Sequence, residues 1–158
     1  MYTAWIDVET TGVDPVKNGI LSIALILENY RSEIMLEKVW FMKPFTTDQV
    51  DPMALTISGI TLEQIETFQD PYDVYKELLQ ILGRYVNKFV KTDKMMFAGF
   101  NAHFDNQFIR SWFNKMGDKY FGSWFFATTL DVRTLVALCM MSDKSLTMLP
   151  NQQLGTLC

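Results

Sequence analysis

Ile6-Asp7-Val8-Glu9-Thr10-Thr11-Gly12 closes the first apolar stretch of the chain, and the architecture can be built from it. Tyr2 to Val8 has the composition of a short strand, ended by a turn through Thr11, Gly12, Asp14, Pro15 and Gly19. Alternate side chains of a strand share a face, so Asp7 and Glu9 point the same way. Two carboxylates side by side repel unless a cation lies between them. Hard divalent ions such as Mg²⁺ or Mn²⁺ take oxygen ligands of this kind. Thr-Thr-Gly then lets the backbone turn sharply and approach a ligand closely. A bare Asp-x-Glu also recurs by chance, and its plain alternative is two solvated charges at a sheet edge.

Two further strands follow. Ile20 to Leu27 is apolar almost throughout, as for a strand buried on both faces, and Ile34 to Met42 is interrupted by Glu37 and Lys38. The short polar connection Glu28 to Ser32 predicts an antiparallel hairpin. After a loop over Pro44 to Asp51, short helical pieces are expected at Pro52 to Ser58 and Thr61 to Glu66. Asp70 is placed as an N-cap with Pro71 at the first helical position. Val74, Leu78, Ile81, Leu82, Tyr85 and Phe89 continue that helix at helical spacing. Met95 to Phe100 reads as a strand ending at Asn101, and Phe104, Phe108, Ile109, Trp112 and Phe113 mark a helix that stops near Gly117. Trp124 to Ala127 is the last strand and Leu130 to Met140 the last helix. The order predicts an α/β fold: one mixed sheet with helices packed on it, in a single domain over residues 1–158.

Composition narrows the function classes. Of 158 residues, 49% are hydrophobic and 14% aromatic, which excludes a disordered chain. A chain of this size buries roughly 70% of its unfolded surface without staples. The net charge of -4 argues against a broad basic surface for nucleic acid. Cys139 and Cys158 form no disulfide framework and no CxxC zinc motif, and Cys139 is expected as a buried thiol. The N-terminus carries Asp7 and Glu9 and no basic segment, so it is not read as a signal peptide. Apolar runs such as Ile23 to Leu27 are strand-length, so no membrane span is expected. A cytoplasmic, reducing setting fits these features. The twelve Phe and four Trp serve a homodimer face as readily as a core.

A second cluster is Phe100-Asn101-Ala102-His103-Phe104-Asp105. Asn101 is placed to cap the helix that carries Asp105 in its first turn, and a plain helix-start pair is the simple alternative. Asp105, however, falls on the side of Phe104, Phe108 and Trp112, where a charge is costly without a metal or base partner. That favours a metal ligand. His103, the single histidine, is two residues away and points elsewhere; it is expected as a partly exposed helix-start residue.

Asp7-Val8-Glu9-Thr10-Thr11-Gly12 resembles the first motif of the DEDD 3′-to-5′ exonucleases, the DnaQ-like group with a ribonuclease H-like fold. Asn101-Ala102-His103-Phe104-Asp105 is similar to their second motif. Asp51-Pro52-Met53-Ala54-Leu55 through Gly59-Ile60-Thr61, and Leu130-Asp131-Val132-Arg133-Thr134-Leu135, resemble the segments around those motifs in the same order. The resemblance implies a ribonuclease H-like mixed sheet flanked by helices. It implies that Asp7, Glu9 and Asp105 bind two divalent ions, Mg²⁺ or Mn²⁺, as the catalytic centre. Thr10, Thr11, Asn101, Phe104 and Phe108 would bind the 3′ end of single-stranded DNA or RNA, with apolar residues near Met53 to Ile57 stacking on the base. In such a centre one ion activates a water and the other stabilises the leaving 3′ oxygen. Metal charge also lets an acidic protein hold a polyanion.

One part of the pattern is missing. The family has a fourth carboxylate in a third motif, with a His five or a Tyr four residues before it. His103 lies inside the second motif, and Tyr120 is followed four residues later by Trp124. The tail Asn151 to Cys158 resembles the segment just before the third motif in the histidine-bearing branch, so the chain is expected to be truncated there. Low exonuclease activity follows, since loss of a general base alone costs about 10²- to 10⁴-fold. Two alternatives are a catalytically dead exonuclease-like binding module and a phosphohydrolase acting on free nucleotides.

Overall fold

A computed structural model describes residues 1–142. The expected hairpin forms: β1 (Tyr2–Thr10) pairs antiparallel with β2 (Ile20–Asn29), and β2 with β3 (Ile34–Phe41). β1 runs two residues past its apolar stretch because Glu9 and Thr10 still pair with Ser22 and Ile20. α1 (Pro52–Ser58) is capped by the Asp51 side chain, which accepts from Met53 N, and Gly59 ends it at φ 69°. α2 (Leu62–Thr67) begins with a reciprocal capping box between Thr61 and Gln64.

α3 (Pro71–Tyr85) starts as predicted, with Asp70 accepting from Tyr72 N. It ends before Phe89, whose ring is 87% exposed rather than packed along the helix. The cause is local: Asp93 accepts from Asn87 N and Asn87 Oδ1 accepts from Phe89 N, which turns the backbone away from helix. β4 (Met95–Gly99) then lies parallel to β1, and α4 (Ala102–Lys115) returns across the sheet. A one-turn helix, α5 (Phe121–Trp124), occupies the place where the last strand was expected to start. β5 (Phe125–Asp131) therefore runs later, and α6 (Val132–Ser142) begins where Asp131 Oδ1 accepts from Arg133 N. The strand order is β3-β2-β1-β4-β5, a mixed sheet.

The core lies on one face of that sheet. Ala4, Ile6 and Val8 of β1, Ile23, Leu25 and Leu27 of β2, and Phe97 of β4 pack under Val74, Leu78 and Leu82 of α3 and Phe108, Ile109 and Phe113 of α4. Each such side chain contributes about 1.5–3 kcal/mol on burial. On the other face Ile26, Val39 and Phe41 are exposed, so β2 is buried on both faces only at its start, not over Ile20 to Leu27. Cys139 is exposed, which corrects the buried thiol: α6 puts no side chain into the core. Cys158 and the tail from Asn151 lie outside the described residues. Among the described residues no helix is long and apolar enough to cross a membrane.

Candidate active site

Strand alternation places the first two acids as expected. Asp7 and Glu9 are exposed, and Ile6 and Val8 between and beside them are buried. A bulge follows Glu9, a device that re-aims side chains at the end of a strand. The turn beyond it is held by Thr11, which is fully buried. Its hydroxyl donates to Gln49 O at 2.6 Å and accepts from Gly19 N at 2.8 Å. Its backbone carbonyl accepts from Asp51 N at 2.7 Å, which ties the entry of α1 to the end of β1. Gly12 backs directly onto Asn18: a Cβ there would lie 2.5 Å from the amide of that side chain.

The third acid arrives from α4. Gly99 lets the end of β4 close on β1, since a Cβ would sit 2.9 Å from Ile6 O. Asn101 follows in the left-handed region (φ 64°, ψ 40°), and its side chain makes no capping hydrogen bond, contrary to expectation. Its N–H instead donates to Asp131 Oδ1 at 3.0 Å. One turn on, Asp105 is 3% exposed and accepts from Val8 N at 3.0 Å.

Repulsion couples Asp7 to each of the other two acids. Burial pushes the Asp105 carboxyl up to about 7, and the Asp7 and Asp131 carboxylates add to this against the Val8 N–H. Partial desolvation at the sheet surface raises Asp7, and partial desolvation and the neighbouring Asp7 raise Glu9. None of the three forms an ion pair among the described residues. The donor set is therefore three oxygen-bearing side chains without a counter-charge, which fits a hard divalent cation. As they lie, no three Asp, Glu, His or Cys side chains among the described residues are close enough to hold an ion. Mutual repulsion spreads carboxylates that have no cation between them.

Beside Asp7 lies a concavity of about 370 Å³, walled by Trp5, Ala24, Ile26, Gly99 and Phe100. Two of the expected nucleotide contacts are corrected. Thr11 is 0% and Phe108 1% exposed, so one is a strut and the other a core residue. Phe104 is half-buried against Phe108, with ring centres 4.8 Å apart, and Thr10 donates to Gly12 O. Asn101 is exposed, as are Met53 and Ile57 on α1. His103 is exposed and hydrogen-bonded to Gln107.

Sequence reasoning assigned no role to Asp131, Asn18 or the Lys115–Asp48 pair. Asp131 joins the start of α4 to the start of α6. Asn18 donates to Gln49 O at 2.9 Å and accepts from Asp14 N at 3.0 Å behind the Thr11 turn. Lys115 donates to Asn18 O at 2.7 Å and to Asp48 at 2.6 Å. Asp131 had a sequence signal, a short acid between strand and helix; the other two depend on tertiary contacts.

The chain is similar to known proteins over this region. The Exonuclease family model (RNase T) matches residues 4–158. The 3′-5′ DNA exonuclease Cap18 of Escherichia coli is 32% identical over 132 residues, which are 82% of this chain and 65% of that protein. The PolC-type DNA polymerase III of Thermotoga petrophila is 28% identical over 111 residues, 70% of this chain and 7% of its own length. The chain thus spans less than two thirds of these relatives. Among solved structures, E. coli exonuclease I with a dT13 oligonucleotide superposes with TM-score 0.71 at 18% identity, over 87% of this chain and 29% of that one. Its zinc-bound complex with single-stranded DNA gives 0.76 at 17% identity, over 95% and 32%. The likeness identifies the fold as ribonuclease H-like.

Proposed function

Because the chain belongs to the Exonuclease (RNase T) family, the DnaQ-like 3′-to-5′ exonucleases, we propose that Asp7, Glu9 and Asp105 form a metal-dependent centre that releases nucleoside monophosphates from a 3′ end. The observation that carries this reading is the Val8 N–H to Asp105 hydrogen bond, which anchors a buried carboxylate against the exposed pair on β1. A divalent ion bound there, Mg²⁺ or Mn²⁺, supplies a water of lowered pKa and charge for the leaving oxygen. Asp7 and Glu9 hold the solvent side of that centre and Asp105 its inner side. The concavity beside Asp7, with Trp5, Ile26 and Phe100 in its wall, takes the terminal nucleoside. Asn101 and Phe104 flank the strand end, and Thr10 lies at the turn. Single-stranded DNA is the substrate the relatives support: Cap18 is a DNA exonuclease, and exonuclease I holds dT13.

The test is digestion of a 5′-labelled single strand at high enzyme concentration with Mn²⁺. A ladder shortening stepwise from the 3′ end, lost in Asp7→Ala, is expected. Internal cuts, or equal products from wild type and Asp7→Ala, overturn the reading. Preferential turnover of a free nucleotide supports the phosphohydrolase alternative instead.

A further inference from the structure

Four of the fourteen Lys and Arg residues, Arg84, Lys88, Lys91 and Lys94, fall within eleven positions that contain one acid, Asp93. In a chain of net charge -4 that is a local reversal of sign. None of the four forms an ion pair among the described residues, whereas Lys17, Lys38, Lys43, Lys76 and Lys115 all do. The one acid is occupied, accepting from Asn87 N at 2.8 Å. The segment carries aromatic surface as well. Phe89 is 87% exposed, and the Lys88 ammonium sits 5.4 Å from its ring centre and 5.6 Å from that of Trp124. Arg84, Asn87, Lys88, Phe89, Asp93 and Trp124 line a concavity of about 520 Å³, so two of the four cations stand in its wall with the one acid. Trp124 is 4% exposed, and its indole N–H has no partner among the described residues.

Topology sets this concavity apart from the carboxylates. The segment leads into the first residue of β4, while Gly99, at the other end of that strand, abuts β1 at Ile6. Five strand residues span about 16 Å. We propose that the Arg84–Lys94 concavity is a second binding site for single-stranded nucleic acid, which holds the strand at a distance from its 3′ end. Arg84 and Lys88 in its wall track the phosphates, Lys94 being held on Gly122 O, and the exposed Phe89 ring offers a stacking platform, the combination that binds single strands without reading sequence. The choice of ligand rests on the proposed function. The site itself needs neither metal nor the three carboxylates.

The test is anisotropy of labelled dT4 and dT20 with the full chain in EDTA, repeated in the Asp7→Ala background. Lys88→Glu and Phe89→Ala alter exposed side chains, and melting temperature checks their folding. Loss of one stacked base costs about 1–3 kcal/mol, so Phe89→Ala is expected to weaken dT20 binding roughly 5- to 150-fold. Lys88→Glu is expected to weaken it at least tenfold and to flatten its salt dependence. Digestion of the dinucleotide dT2, too short to span both sites, stays unchanged in both variants. Unaltered dT20 affinity in Lys88→Glu overturns the proposal. So does tight binding of an acidic peptide that dT20 does not displace, which would make the surface a protein dock. Failure of the exonuclease reading shows separately, as digestion insensitive to Asp7→Ala.

Discussion

The backbone N–H of Val8 donates to Oδ1 of Asp105 at 3.0 Å, across 97 positions of sequence. Val8 lies between the two exposed acids of β1, so this bond sets where the helix-borne carboxylate stands relative to both. The bond also partly offsets the cost of burying Asp105, whose carboxyl is held near 7 chiefly by burial.

That offset is incomplete, and pH reports the remainder. Asp105 takes its proton at about 7 in the folded chain and near 3.8 when unfolded. Between those values the folded state binds more protons at Asp105, so the contribution of this group to stability is full below pH 4 and falls as pH rises toward 7. In metal-free solution the melting temperature is expected to drop from pH 4 to pH 8. Asp105→Asn keeps an acceptor for Val8 N–H and removes the charge. It is expected to flatten that profile and to recover up to about 4 kcal/mol at pH 8, as read by urea denaturation. The Asp7 and Glu9 carboxyls, raised for the same cause, leave a residual slope.

How far the sequence alone reveals this depends on the range of the interactions. Asp7 and Glu9 were legible because strand alternation is local, and α1 and the start of α3 because Asp51 and Asp70 cap them within two residues. The end of α3 was misread because side chains of Asn87 and Asp93 redirect the backbone, which periodicity does not register. Thr11 and Phe108 looked like ligand contacts because their motifs sit at the site; only the packing shows both fully enclosed. The cap expected of Asn101 fails because that residue lies in the left-handed region rather than the extended conformation of a capping residue.

The turn that presents Glu9 depends on the Thr11 hydroxyl, which bonds to Gly19 N and Gln49 O. Thr11→Val fills the same volume and leaves the Gly19 N–H buried without a partner, while Gln49 O keeps its bond from Asn18. A loss of about 1–3 kcal/mol is expected by denaturant titration, with Thr11→Ser recovering much of it.

Behind the same turn, Lys115 neutralises Asp48, whose side chain is 2% exposed. Lys115→Met strands a buried charge and is expected to cost about 3–5 kcal/mol. Adding Asp48→Asn restores part of the loss, because the uncompensated charge is then gone. Equal melting temperatures for the single and double variants would show that the pair acts through packing alone.

The metal-binding role of Asp7, Glu9 and Asp105 is tested by titrating Mn²⁺ into the protein and following the free ion by electron paramagnetic resonance. Wild type is expected to remove Mn²⁺ from solution, with binding lost in Asp7→Ala and in Glu9→Ala while both variants keep the wild-type circular dichroism. Equal Mn²⁺ uptake by wild type and Asp7→Ala, or none by wild type, would contradict the account.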